Sequence, residues 1–321
     1  MSMKTVLLFV LLSLSFFQLT CKAIDSQNNN GEDEMSEKES AKGRTRKIEK
    51  TVEIAAPVAD VWKAITQAEK LKQWFPLDAE VKPGVGGKVR ISWGDKFVWE
   101  FRVDVWVEEE HLRLVYDHNT DFNTLEEPES QEMVLDAGQQ LAVDYFLEAR
   151  SGKTVLRLVH SGFGHEDSWD EEYDAVRRGW NSELMGLKHY VEHHFGAERS
   201  VAWANMLCAQ PVELIWQKLM GDEGFVSEGS LKEMTEGDAY EVKASTGESF
   251  RGTIAYFNPP MDFVATAENL NNALLRVWIE EYRGKRVANV WLSAYGLPEA
   301  EVAEFQARWT HVLQNLFPAS N

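Results

Sequence analysis

The sequence predicts an α+β protein in which two copies of one unit, each an antiparallel sheet followed by a long helix, stand in tandem. Segments with a two-residue hydrophobic alternation, such as FVWEFRVDVWV at 97–107, indicate strands with one buried side. The segment 168–196 instead repeats apolar residues every three or four positions, which is typical of one face of a long helix. A second series of the same elements follows and ends in a second long helix, which indicates internal duplication.

Two interpretations of the N-terminal segment are open. Residues 1–23 combine Lys4, an apolar run from Val6 to Phe17 and a Cys-Lys-Ala ending, which is the layout of a signal peptide of a secreted or periplasmic protein. The apolar run is shorter than the roughly 20 residues of a membrane span, so we expect no membrane span. Alternatively, translation begins at Met35 and the protein is cytoplasmic. Residues 24–46 are polar, charged and aperiodic, which predicts a disordered tail.

The first domain is predicted over 47–197. It opens with the alternating segment KIEKTVEIAA, after which Pro57 marks the first helical position of a short helix that carries Trp62. A second short helix, AEKLKQWF, stops at Pro76, and a Gly-rich turn at 83–87 leads into about six antiparallel strands. The acidic connection 118–139 is predicted to be disordered rather than a lid.

The long helix of the first domain has candidate signals at both ends. Ser168 and Glu171 have the spacing of a capping box, and Gly196 is a candidate left-handed cap. The predicted buried face consists of Tyr173, Val176, Trp180, Leu184, Leu187, Val191 and His194.

The second domain is predicted over 198–318 from three repeated features. Pro211-Val-Glu-Leu-Ile-Trp216 repeats Pro57-Val-Ala-Asp-Val-Trp62, and VANVWLSAYG at 287–296 parallels VLRLVHSGFG at 155–164. Pro298 then starts a helix in which Trp309 takes the place of Trp180. The predicted face of this helix is Val302, Phe305, Trp309, Val312 and Leu316, and the second copy lacks the Leu-x-x-Trp-Phe-Pro helix.

Composition excludes several classes of function. The formal net charge is −19, and no basic patch stands out, so we expect no nucleic-acid partner. The two cysteines, Cys21 and Cys208, are at no metal or redox spacing, and Cys208 is predicted to be a small buried thiol.

Several spaced motifs of the first domain resemble one family. They are Val52 to Trp62, Trp74-Phe75-Pro76, Pro83-Gly-Val-Gly-Gly87, His160-Ser-Gly-Phe163 and Arg178-Gly-Trp180. Together they are similar to the C-terminal domain of the activator of Hsp90 ATPase, which belongs to the START-like, Bet v 1-like (SRPBCC) superfamily. The resemblance implies two tandem helix-grip domains, each a curved antiparallel sheet wrapped on its long C-terminal helix with an apolar cavity between them. The separate N-terminal domain of the eukaryotic co-chaperone has no counterpart in this sequence.

Candidate ligand-binding residues are aromatic, because apolar ligand sites are concave and lined by aromatic side chains. His160 shares a strand face with Leu156 and Leu158, and a hydrogen-bonded structural role is favoured for it over that of a catalytic base. For each single residue, core packing is the simpler interpretation, also for Trp278, Trp291, Tyr295 and Trp309 of the second copy. The predicted site consists of Trp74, Trp93, Trp99, Phe101, Tyr145, His160 and Trp180.

Metal, cofactor and catalytic signals are weak. His189-Tyr-Val-Glu192-His193 matches an inverted zinc-peptidase pattern, but such a short pattern arises by chance and no third ligand is indicated, so no metal is expected. No cofactor motif is present, because Gly84-Val-Gly-Gly87 lies between strands instead of opening a helix. No serine has the setting of a nucleophile elbow.

The leading functional hypothesis is a non-enzymatic protein that holds a small hydrophobic molecule in the first domain, with a structural or regulatory second domain. Stimulation of a chaperone ATPase of the Hsp90 type is an alternative that rests on the family resemblance alone. A cyclase or hydrolase of the same fold is the third hypothesis, because START-like relatives include enzymes whose polar residues follow no motif.

Overall fold

The computed structural model describes residues 45–94, 98–117, 140–282 and 284–318. The predictions for the signal peptide, the start at Met35 and the connection 118–139 therefore lie outside the described residues. No helix within these ranges is both long and apolar enough to cross a membrane.

The first domain is one seven-stranded antiparallel sheet with three helices. The sheet order is β1-β7-β6-β5-β4-β3-β2, so each pair of neighbours except β1 and β7 is consecutive in the chain. Its first strand begins at Arg46, one residue earlier than predicted, and the Arg46 side chain donates to the carbonyl of Gly164. The elements are β1 Arg46–Ile54, α1 Val58–Thr66, α2 Ala68–Leu71, β2 Asp78–Val81, β3 Lys88–Ser92, β4 Val98–Val107, β5 His111–Tyr116, β6 Ala142–Arg150, β7 Lys153–Phe163 and α3 Asp170–His193.

The second domain repeats this plan with one helix fewer. Its sheet order is β8-β14-β13-β12-β11-β10-β9, which is the order of the first sheet strand for strand. The predicted duplication and helix-grip fold are thus confirmed. The elements are β8 Arg199–Cys208, α4 Val212–Leu219, β9 Glu228–Gly229, β10 Ala239–Lys243, β11 Ser249–Asn258, β12 Asp262–Ala267, β13 Ala273–Tyr282, β14 Lys285–Tyr295 and α5 Glu299–Leu316.

Helix α3 is gripped by its own sheet as predicted, but its ends differ from the prediction. Trp180, Leu184, Leu187 and Val191 are buried in the first core. The predicted capping box is wrong, because Ser168 lies in a 3-10 turn that leads directly into the helix and no side chain caps either. Gly196 does adopt a positive φ of 94°, yet it follows the helix end at His193 by three residues.

Strand β4 contains a bulge that the alternation did not reveal. Its register with β5 shifts between Val103 and Val105, because a bulged strand has an extra residue. Beyond the bulge the faces exchange: Val107, predicted to be buried, is 44% exposed, and Trp106 packs on Trp62 with ring centroids 5.3 Å apart. Strand β11 has the same shift between Ile254 and Tyr256, so the bulge belongs to the repeated unit.

Helix α5 fills the second core with a slightly different face from the one predicted. Trp309 is fully buried, and Leu313 is buried where the prediction placed Val312, which is only partly buried. Cys208 is a free, buried thiol as predicted, and burial raises its pKa to about 11.

The two domains share helix α3. Its first face packs on its own sheet, and its opposite side lies against β13 and β11 of the second domain. Trp291 and Tyr295 lie on the outer face of the second sheet. Val290 and Leu292 lie on the other face of β14 and belong to the inner core of this domain. Consequently α3 is covered on two sides, and Tyr295 is part of the first domain's core cluster.

Candidate functional site

The candidate site lies between the N-terminal half of α3 and the ends of β3, β4, β5 and β7. All seven predicted residues are connected here by ring contacts, and Phe75 is the central member. Its ring centroid lies 5.1 Å from Trp74, 5.1 Å from Trp93 and 5.9 Å from Trp180. These separations are in the range of favourable aromatic pairs. The aromatic cluster, as we name it, comprises Trp74, Phe75, Trp93, Trp99, Phe101, Tyr116, Tyr145, His160 and Trp180.

The inner members of the aromatic cluster are fixed in the core. Trp74 is 2% exposed, and its indole N–H donates to the carbonyl of Ala64 at 2.9 Å, which satisfies its one polar atom. Gly186 permits α3 to approach Trp74, since a Cβ there would lie 3.3 Å from the Trp74 carbonyl oxygen. Tyr145 lies on β6 with its ring centroid 6.2 Å from Trp180, and burial raises the pKa of its hydroxyl.

The outer members lie on or next to strands β3, β4 and β5. Trp93 follows β3, Trp99 and Phe101 lie on one face of β4, and Tyr116 ends β5 opposite Phe101. Trp93, Trp99 and Tyr116 are only partly buried, in contrast to Phe101 at 7% exposure. The cluster therefore runs from a closed interior to a partly exposed aromatic rim.

His160 is the imidazole of this site. Its Nδ1 accepts a hydrogen bond from Trp180 Nε1 at 3.0 Å, which fixes the tautomer with the proton on Nε2. Burial lowers its pKa to about 3, because the charged form would lose its hydration. The ring is thus neutral near pH 7. Its Nδ1 orients Trp180 by accepting the indole N–H. As a general base it would be far below the pKa range that suits proton transfer at neutral pH.

Phe75 and Tyr116 were not among the predicted site residues. Phe75 follows the short α2 in a turn without regular periodicity, so no face could be assigned to it. Tyr116 did carry a signal, because it alternates with Leu112 and Leu114 on β5.

The residues of the zinc-like pattern lie near one another, with the His189 and His193 ring centroids 5.2 Å apart, but they have different environments. His189 is buried and donates from Nε2 to the carbonyl of Asn272 at 2.7 Å, whereas the His193 side chain is 49% exposed. Glu192 accepts from the amide of Ala55 and from Lys188. Within the described residues, no group of three His, Cys, Asp or Glu side chains is placed to hold a metal ion.

The described part of the second domain has two concave surfaces of its own. A cavity of about 280 Å³ is bounded by Trp216, Met220 and Phe257, and a neighbouring one of about 530 Å³ by Met234, Phe257 and Pro259. Both are open to solvent. They lie beside the segment that replaces α2, the helix that the second copy lacks.

The comparisons with known proteins concern mainly the first domain. Residues 55–192 match the family model described as Activator of Hsp90 ATPase homolog 1-like protein. No curated protein matches the chain.

Several solved structures are similar at low identity. Protein MLL2253 from Mesorhizobium loti is 22% identical, with 46% of this chain and 98% of that chain covered and a TM-score of 0.38. The Aha1 dimer from Colwellia psychrerythraea is 18% identical, with 46% and 96% covered and a TM-score of 0.37. The di-domain ARO/CYC BexL from the BE-7585A biosynthetic pathway is 15% identical, with 86% and 100% covered and a TM-score of 0.38. Similarity at this level carries no argument about ligand or activity.

Proposed function

We propose that the chain, whose residues 55–192 form a domain of the Activator of Hsp90 ATPase homolog 1-like family, binds a small, uncharged apolar molecule at the aromatic cluster. The molecule would be aromatic or otherwise flat. The observation that carries the proposal is the partly exposed rim of Trp93 and Trp99, which continues without a break into the buried rings. A flat apolar ligand would stack on these rings and remove apolar surface from water.

The polar atoms of the cluster support an uncharged ligand. The seven predicted residues carry indole N–H groups, one phenol and one neutral imidazole, and none carries a charge near pH 7. A charged ligand would lose its hydration without a compensating partner. The acidic net charge of −19 further disfavours anionic molecules.

Binding is favoured over catalysis by the state of His160. The ring accepts from Trp180 and has a pKa near 3, so it does not provide an acid or base at neutral pH. A cyclase or hydrolase would require polar groups that converge on a substrate. The indole N–H groups of Trp74 and Trp180 instead donate to the Ala64 carbonyl and to His160.

The uncharged fluorophore N-phenyl-1-naphthylamine tests the proposal by fluorescence titration of the full chain. We expect saturable binding that weakens about tenfold in Trp93→Leu and Trp99→Leu, because loss of an aromatic contact costs roughly 1–1.5 kcal/mol. Trp203→Leu is the matched control, since Trp203 is also partly buried but lies in the second domain. Failure of the wild-type chain to bind, or equal affinity in all three variants, contradicts the proposal.

Chaperone stimulation is the alternative that family membership raises. Purified chain added to the Hsp90 homologue of the same organism provides the test. We expect ATP turnover to stay unchanged, and a concentration-dependent increase would instead make the chaperone the partner.

A further inference from the structure

The side of α3 that faces away from its own sheet is polar, yet it is covered. Arg178, Asn181 and His189 recur along this side, Glu183 flanks it, and all four would be expected in solvent from sequence alone. Each of them instead contacts the second domain, whose β11 and β13 lie against the helix. We name these contacts the interdomain seam.

The strongest contact of the seam is a buried, two-pronged ion pair. Arg178 donates from Nε and Nη2 to the two carboxylate oxygens of Asp262, both at 3.0 Å, and from Nη2 to the carbonyl of Ile279 at 2.9 Å. Asn258 also donates to Asp262 at 2.9 Å. The two side chains are 11% and 4% exposed. A pair of this geometry defines both the distance and the orientation of the two groups, which is its best-attested use in a protein interior.

Further contacts follow along the helix. Asn181 donates to the Tyr256 hydroxyl at 3.0 Å, and Arg276 pairs with Glu183 at 2.8 Å. At the far end His189 and His194 both donate to the carbonyl of one residue, Asn272, at 2.7 and 2.9 Å. From residue 178 to 194 the seam spans about 24 Å of helix at 1.5 Å per residue. Contacts at both ends of such a length prevent α3 from sliding or rotating.

The second domain also holds the other wall of the aromatic cluster. Arg199, at the start of β8, donates to the carbonyls of Phe75 and Pro76, and its amide donates to the side chain of Gln73 at 2.7 Å. Tyr295 donates its hydroxyl proton to the Gln73 carbonyl at 2.7 Å. Segment 73–76, which contains the central ring Phe75, is therefore fixed by residues that belong to the second domain.

We propose that the second domain sets the geometry of the first domain's site, with Arg178, Asp262 and Arg199 as positioning residues that hold α3 and segment 73–76 around the aromatic cluster. This inference rests on the proposed function and specifies how the site is regulated. Because coupling between two equilibria is reciprocal, a ligand that favours the closed cluster also favours docking of the second domain.

Two buried polar atoms of the interdomain seam have no hydrogen-bond partner within the described residues. These atoms are Glu183 Oε2 and Arg276 Nε. A buried polar atom without a partner disfavours the state that buries it. Burial of these two atoms therefore opposes docking of the second domain.

Asp262→Asn tests the inference, because it keeps the shape of the side chain and removes its charge. Hydrogen exchange of 170–193 in the ligand-free full chain should accelerate about tenfold, and N-phenyl-1-naphthylamine should bind roughly tenfold more weakly, as expected for loss of a charge-assisted contact. Arg150→Ala is the matched control: it removes an exposed arginine outside the seam that pairs with Glu148 on its own strand. It should change neither measurement.

The outcomes separate the inference from the proposed function. If Asp262→Asn shows faster exchange without weaker probe binding, the inference is overturned and the binding function stays intact. Unchanged exchange with unchanged binding in this variant has the same consequence. No probe binding in the wild-type chain overturns the binding function itself, and the inference with it. If Asp262→Asn does not fold, Tyr256→Phe, which removes only the hydroxyl that accepts from Asn181, must show the same two effects at smaller size.

Discussion

Acidification should destabilise the folded chain through His160 and His189. Burial lowers their pKa values to about 3 and about 4 from an ordinary value of 6.5. The unfolded state therefore binds more protons, so stability is fully present above pH 6.5 and falls as the pH decreases towards the folded values. Between about pH 7.5 and pH 5.5 each ring should cost on the order of 1 kcal/mol, because the unfolded ring takes up a proton across this interval and the folded ring does not.

Chemical denaturation at the two pH values measures this effect. We expect His189→Asn to reduce the pH-dependent loss of unfolding free energy by on the order of 1 kcal/mol relative to wild type, since the asparagine does not titrate. His165→Asn, at an exposed ring in the first domain, controls for the substitution. An identical pH dependence in wild type and His189→Asn would refute the reasoning that this ring is buried in its neutral form against the second domain.

Five substitutions test the packing. Gly162→Ala should destabilise the folded chain by at least about 2 kcal/mol, because Gly162 has a φ of 102° and a Cβ would lie 2.3 Å from a backbone carbonyl oxygen. Gly179→Ala, in an open part of a helix, should instead stabilise the folded chain by about 0.5–1 kcal/mol. Thermal unfolding of Trp309→Ala should show the second domain destabilised by about 3–5 kcal/mol, since that ring is fully buried. Denaturation of Trp106→Ala should show a loss of about 2 kcal/mol and Val107→Ala less than about 0.5, and the reverse order would contradict the bulge.

The architecture could be predicted because each element carries its own periodicity. The step from Pro57 to Trp62 and its repeat from Pro211 to Trp216 identified the duplication, and the two sheets have the same strand order. The bulge at Val103 to Val105 could not be predicted, since a register shift depends on how β5 pairs with β4 and not on the composition of β4.

The site could be predicted only in part for a similar reason. Trp99 and Phe101 share a strand face with a clear alternation, so their common direction follows from sequence. Phe75 lies in an irregular turn, and the covered side of α3 is polar, so neither has a hydrophobic pattern that reports burial. Periodicity indicates which side of an element is apolar, but it does not show that a second domain covers the polar side through Arg178.

Native mass spectrometry of the full chain, purified from the organism that produces it, tests the ligand-binding account most directly. The account predicts one co-purified apolar molecule per chain, retained to the same extent by Trp203→Leu and to a smaller extent by Trp99→Leu. A folded wild-type chain that shows only the mass of the polypeptide would contradict it.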